Sequence, residues 1–332
     1  MSDITLDLAR AAVRLRARWT MVELGFWVAA AACYILFPGK LVLLTQILIG
    51  GLFAMSLDLL LGYGGIASFG HAAFFGLGAY TAGLLAAHGW GEPISGVLAA
   101  GLVAGALGFA FSTLIAKVRG AAVLMVTLCI GLLLYEGASR LPWLTGGDSG
   151  LQGIEMWPLL GLFDFDLFGR TAFWYAYGSA LFLYLVARRY IHSPEGLALQ
   201  GIRENQTRVP MLGVSLARRK MIAFTISAAI AGIAGALLAQ TTQIVALETL
   251  SFERSVSALI MLVVGGIGTL IGGFVGAAAF IWMRDLLSTV NPVYWMFWLG
   301  LVLIAIVLTA RGGLLGVLSL FASKIARWRR TG

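Results

Sequence analysis

Charge is what this sequence has least of. Lys, Arg, Asp and Glu make up 11% of its 332 residues, where soluble domains carry roughly 25%, and that deficit excludes a water-soluble fold. Two cysteines, Cys33 and Cys129, sit inside apolar runs, which excludes a disulfide framework and a cysteine-based metal cluster. The three histidines, His71, His88 and His192, fall at different depths and supply no metal set. Phosphate loops of the Gly-x-x-x-x-Gly-Lys type, HExxH and nucleophile elbows are missing. The chain is therefore expected to be no enzyme and to carry no cofactor. Uphill movement of a solute needs energy from a partner chain or an ion gradient.

What is present is apolar length. Sixty per cent of the residues are apolar and 43 are glycine, with a mean hydropathy of +0.93. A membrane-crossing helix needs about 20 mostly apolar residues. Segments of that kind lie at 20–37, 41–62, 72–88, 94–116, 120–137, 171–190 and 221–242. The stretch 255–290 is too long for one helix and breaks at Gly265-Gly266-Ile267-Gly268, giving spans near 255–265 and 268–288, and a last one covers 294–310. The expected fold is an all-α polytopic membrane protein of about ten transmembrane helices in two pseudo-repeated halves, both termini cytoplasmic. The permease domain is 20–311, between a basic cytoplasmic segment 1–19 and a basic cytoplasmic tail 312–332.

Orientation follows from the basic residues. With the N terminus inside, 18 of the 23 Lys and Arg fall on the cytoplasmic side and 5 outside, a steep positive-inside bias. The net charge of +8 is thereby explained by topology, without nucleic acid. Ala30-Ala31-Ala32-Cys33 faintly matches a lipoprotein cleavage site, but the preceding apolar run is short and Ala30 stands where a larger aliphatic is usual. The span is expected to be retained.

Residues 192–220 form a charged island between apolar runs. Glu195, Arg203, Glu204, Asn205, Arg208 and Arg218-Arg219-Lys220 lie in it. Ser193 and Gly196 at the start, an amphipathic centre and Leu212-Gly213 at the end predict a short helix across the membrane surface, shaped for docking. On the other side, loop 138–170 mixes turn residues with Trp143, Trp157, Phe163, Phe165 and Phe168, which predicts a packed cap near the headgroups.

The densest unusual segment is 58–80. Six glycines interrupt its apolar run, and Ser68, His71 and Tyr80 supply polar atoms. Irregular backbone survives in a membrane only where protein buries it or a cavity hydrates it. Ser68, Phe69, Gly70 and His71 are thus candidates for the wall of a translocation route, with a packing role for His71 as the alternative. The Gly265–Thr269 break is a candidate counterpart, because paired Gly-interrupted segments mark transport paths between repeats. Asp58 is costly in a span and lies within reach of the N–H groups freed around Gly62. Gly101/Gly105, Gly268/Gly272/Gly276 and Ala231–Gly235 are helix-packing patterns. Glu136 and Arg140 are spaced for a local ion pair.

Three of these segments together resemble one family. LLLGYGGIASFGHAAFFGLGAYTAGLLA at 59–86, LTGGDSGLQGI at 144–154 and GLALQGIRENQTRVPMLGVSLARRKMIAFTISAAIAGIAGAL at 196–237 are similar to the LivM-type permeases of branched-chain amino acid ABC importers. Asp148-Ser149 stands in an order less usual for the family. Val209-Pro210 replaces a small residue and predicts a kink in the second half of the coupling helix. The resemblance implies a multi-pass protein of the bacterial inner membrane. Its partners would be a second, LivH-type permease, two cytoplasmic ABC ATPases and a periplasmic solute-binding protein. It also implies that 196–213 is the ATPase-coupling helix, with Gly196, Arg203, Glu204, Asn205, Arg208, Leu212 and Gly213 as its contact residues. Relatives of this family carry urea, short amides or aromatic and dicarboxylic acids, so those solutes remain alternatives to branched-chain amino acids. An ion-coupled secondary transporter needs buried carboxylates in several spans, and only Asp58 comes near that. A membrane-embedded enzyme needs a polar constellation at one depth, and the sequence offers none.

Overall fold

In hydrocarbon, each backbone N–H and C=O must find its partner inside the protein, so long apolar runs become helices. The computed structural model describes residues 21–118, 120–166, 168–309 and 312–316. The expected basic segment 1–19 and all but the start of the tail 312–332 lie outside the described residues. Among the described residues the chain is helical, with two isolated β-bridges, Leu151–Val245 and Leu159–Phe163.

The principal helices are α1 (Met21–Leu36), α2 (Leu41–Asp58, continued by a π-helical turn Leu59–Tyr63), α3 (His71–Ala87), α4 (Pro93–Ile115) and α5 (Ala121–Ser139). After the outer loop come α6 (Arg170–Ile191), α7 (Pro194–Glu204), α8 (Leu216–Thr242), α9 (Phe252–Gly265), α10 (Gly272–Val290) and α11 (Trp295–Thr309). Each apolar segment read from the sequence holds one of these helices. Five of them are long and apolar enough to cross a membrane: α2 with its flanking turns, α4, α5, α8 and α10. Helices α1, α3 and α11 are shorter and apolar.

Helices α2 and α8 form the centre, because their sequences carry small or apolar residues on every face. Glycine decides how closely they are approached. A Cβ on Gly78 of α3 would sit 2.0 Å from the Gly232 carbonyl of α8, and one on Gly232 would sit 2.3 Å from Ala104 Cβ of α4. The Ala231–Gly235 patch is therefore a three-helix seam, held by van der Waals contact at short range. Aromatic packing fixes α1 instead. Trp27 lies edge-to-face with Tyr177, Tyr184 and Phe274 at 5.3–5.6 Å between centroids. Glu23 pairs with Arg188 at 3.3 Å beside it.

The loops sort to two ends. At one end Leu151 exchanges backbone hydrogen bonds with Val245, and Trp157 N–H donates to the Gly91 carbonyl at 2.8 Å. At the other, Gly64 and Gly65 lie against Leu199 and Arg203, and Gly313 lies against Gly266. Each contact joins loops that the charge count assigns to the same side. Loop 138–170 is packed only in part: Ile154 is buried against Val245 and Leu247, but Trp143, Trp157, Phe163 and Phe168 of the expected cap are exposed, as in a surface loop. The Glu136–Arg140 pair forms at 2.7 Å.

The docking helix departs from its expected extent. Its start is as read: Ser193 Oγ accepts from Gly196 N–H, with Pro194 in the first turn. Its end comes early, at Glu204, and not at Leu212-Gly213. Asn205 Oδ1 accepts from Thr207 N–H, Thr207 Oγ1 and Arg208 N–H at 2.9–3.1 Å. That side-chain turn competes with the helix and wins. A 3-10 turn, Val209–Leu212, follows and closes on Gly213 at φ +77°. The break thus precedes Pro210 by five residues and owes more to Asn205 than to the proline.

Candidate functional site: a surface helix on two glycine breaks

Helix α7 is amphipathic by sequence and sits accordingly. Leu199 and Ile202 are buried, while Arg203, Glu204, Thr207 and Arg208 are exposed. Gly196 is buried because α7 turns sharply off α6; a Cβ there would lie 2.4 Å from both the Tyr190 and Ile191 carbonyls. Glu195 pairs with Arg219 at the start of α8, so α7 is tied to the helices before and after it. Gly213 meets nothing nearby. Met211, 84% exposed, forms an apolar tip that sequence reasoning missed, beside Arg208.

The Arg203 side chain also reaches inward. Its Nη1 donates to the Gly62 carbonyl in the first glycine break. The same nitrogen lies about where a Cβ on Gly268 would have contact, at 3.3 Å. Asp58, fully buried, accepts from Gly268 N–H through Oδ1 at 2.7 Å. Its Oδ2 has no hydrogen-bond partner among the described residues. The sequence placed Asp58 near donors freed around Gly62; the donor is instead the second break. Gly62 has no room for a side chain, since a Cβ would be 2.0 Å from Asp58 Oδ1 and 2.6 Å from Gly268 N. Gly268 itself adopts φ +81°, a conformation that suits glycine. The two breaks therefore meet, and Arg203 joins α7 to both. A charged hydrogen bond thus ties the surface helix to the core.

The candidate route residues lie deeper. Ser68 and His71 are buried, and Ser68 Oγ has no partner among the described residues. Ser56 Oγ donates to the Phe53 carbonyl at 2.6 Å, so His71 Nε2, 2.8 Å from that oxygen, is the donor of the pair. His71 Nδ1 is then a bare acceptor without a partner among the described residues. The ring stacks on Phe53 at 5.6 Å. Gly70 touches α5, where a Cβ would lie 1.8 Å from the Thr127 carbonyl. Phe69 N–H donates to Thr127 Oγ1 at 3.2 Å, and its ring meets Phe252 at 5.8 Å. The structure thus brings α3, α5 and α9 together at this turn, enclosing Ser68 and His71 between helices.

Only a pocket of about 10 Å³ reaches this turn, beside Phe69 among the described residues; larger cavities lie around it. A groove of about 750 Å³ with apolar walls runs between Tyr34, Phe163, Trp174 and Phe182, away from both breaks. At the end that carries α7 a cavity of about 220 Å³ opens between Gly65, Ile66, Gly120 and Gln206. At the opposite end one of about 270 Å³ lies between α2, α8, α9 and α10.

A family model described as branched-chain amino acid transport system / permease component matches residues 41–307. The high-affinity branched-chain amino acid transport system permease protein LivM of Salmonella typhimurium is 30% identical over 87% of this chain and 72% of its own length. LivM of Escherichia coli is 30% identical over 86% of this chain and 72% of its own length. The autoinducer 2 import system permease protein LsrC of an Enterobacter species is 30% identical over 70% of this chain and 67% of its own length. No solved structure matches the chain.

Proposed function

The chain belongs to the branched-chain amino acid transport system permease family and is a permease subunit of an ABC importer, and from that premise we propose how it works. It forms half of a translocation route through the bacterial inner membrane, with ten spans and both termini cytoplasmic. Its other half is a LivH-type permease, its energy comes from two cytoplasmic ABC ATPases, and a periplasmic binding protein delivers the solute. The solute is a branched-chain amino acid or a related small polar molecule; the likeness to LsrC means that the family framework alone does not fix it.

The observation that carries this reading is the Arg203 link. An ATPase that closes on ATP pushes on the exposed end of α7 and the turn after it, where Glu204, Arg208 and Met211 offer charge and an apolar tip. The push reaches Gly62 through Arg203, and Gly268 through Asp58. Gly62 lies in the wide π-helical turn that ends α2 and Gly268 in the turn between α9 and α10, so both yield where a continuous α-helix would resist. The Ser68–His71 turn, one helix entry further on, is the wall that opens to the route. In the structure described it is shut.

Single cysteines in a background lacking Cys33 and Cys129 test both topology and route. A membrane-impermeant thiol reagent added outside is expected to label Cys at 150, and to reach Cys at 205 only after permeabilisation. Cysteines at 68, 69 and 71 are expected to stay unlabelled without ATP and to react when the ATPases cycle. Labelling of 205 from outside overturns the orientation and the coupling role with it. Silence at 68, 69 and 71 in every state, with transport intact, leaves that turn as packing alone.

A further inference from the structure

Two arginines at the outer end remain unexplained by topology. Arg254, in the first turn of α9, and Arg284, near the outer end of α10, both line the cavity of about 270 Å³. Neither guanidinium makes a hydrogen bond or an ion pair within 4 Å among the described residues. The neighbouring Asp285 is taken by Lys40 at 3.0 Å. Arg254 lies over the Phe75 ring at 5.2 Å, and the charges whose fields reach it are Glu248 and Arg284. Glu248, from the turn before α9, lines the same cavity. Two like charges facing one partly enclosed space repel each other and sit away from bulk water. An anion between them relieves both costs.

We infer that this cavity is a solute site in which Arg254 and Arg284 hold a carboxylate. The guanidinium fork matches a carboxylate in two parallel hydrogen bonds. Glu248 then faces an ammonium group on the same molecule, and Ile49, Phe53, Met261 and Ile281 surround its apolar body. The volume falls below the roughly 300–1,000 Å³ of sites for drug-sized ligands, so the occupant is small. A zwitterionic amino acid with an aliphatic side chain meets all four conditions, whereas urea and neutral amides lack the anion. The site rests on the permease reading above and gives that reading its solute class: delivered from outside, the solute is held here before the Ser68–His71 turn opens.

The test uses the whole importer, permease pair with ATPases, purified without binding protein. Binding is measured calorimetrically for L-leucine, for 4-methylvalerate (no ammonium), for isoamylamine (no carboxylate) and for propionamide. The expected order is L-leucine, then 4-methylvalerate, with isoamylamine and propionamide at least tenfold weaker. Arg254→Gln, Arg284→Gln and the charge-retaining Arg254→Lys are each expected to weaken L-leucine at least tenfold, with assembly on size exclusion unchanged. Equal binding of isoamylamine and L-leucine, no binding to the unaltered complex, or unchanged affinity in all three variants overturns the site. Dissociation of the permease pair in Arg254→Gln and Arg284→Gln also overturns it and assigns the arginines to the partner permease. Failure of the unaltered chain to assemble with ATPases at all would instead strike the permease mechanism.

Discussion

Arg203→Ala is expected to cut ATP-driven uptake by about tenfold or more while the ATPases still co-purify with the permease. The lost contact is a charged hydrogen bond between α7 and the Gly62 carbonyl, and such bonds contribute roughly 1.5–3 kcal/mol. That is a factor of about 10 to 100 in how firmly α7 and the first break move together. Glu204 and Arg208 are exposed, and among the described residues neither side chain makes a hydrogen bond or ion pair with the core. Their double replacement by alanine is expected to do the reverse, weakening ATPase association. Arg203→Lys is expected to recover only part of the transport, because an ammonium is a point donor on a differently shaped stem. Uptake in reconstituted vesicles, alongside the ratio of co-purified subunits, separates the two effects. Equal loss of assembly in Arg203→Ala and the double variant would place Arg203 on the ATPase surface and dissolve the link.

Asp58→Ala and Asp58→Asn are expected to diverge. Alanine removes the acceptor for Gly268 N–H, leaving a donor unpaired in the protein interior. That costs about 1–3 kcal/mol and should lower the thermal midpoint of the detergent-purified complex. Asparagine keeps an oxygen at the same place and nearly the same volume. Its complex should melt close to the unaltered one, yet transport more slowly, since an amide cannot take up the charge that a carboxylate can as Arg203 moves. Thermal melts and uptake rates on the same preparations read both. Identical melting of the two variants would show that the Asp58–Gly268 bond does not hold the breaks together.

The helices were legible because their causes are local. Apolar length, glycine interruptions and the Ser193-Pro194 start are all written within a few residues of where they act. The end of α7 was misread for a related reason. Two local signals competed there, Asn205 and Pro210, and the hydrogen bonds of the Asn205 side chain stopped the helix first. The site was legible in part. Sequence marked Asp58, the two breaks and Arg203 separately, but their meeting depends on residues 210 positions apart and on one 141 positions away. Nothing in the chain's local pattern shows that an arginine on a surface helix turns inward. His71 was visible as a buried polar residue, and its partner Ser56 lies on the preceding helix across the break. Arg254 and Arg284 read as outer charges only, because their convergence is set by how the 266–271 break folds α10 back against α9.

The coupling role of α7 is tested most directly by a photo-activated cross-linking residue placed at Glu204 in the intact importer in native membranes. The account predicts an adduct to the ATPase subunit whose yield changes when ATP is added. Cross-links only to the periplasmic binding protein, or no ATPase adduct in a transporting complex, would contradict it.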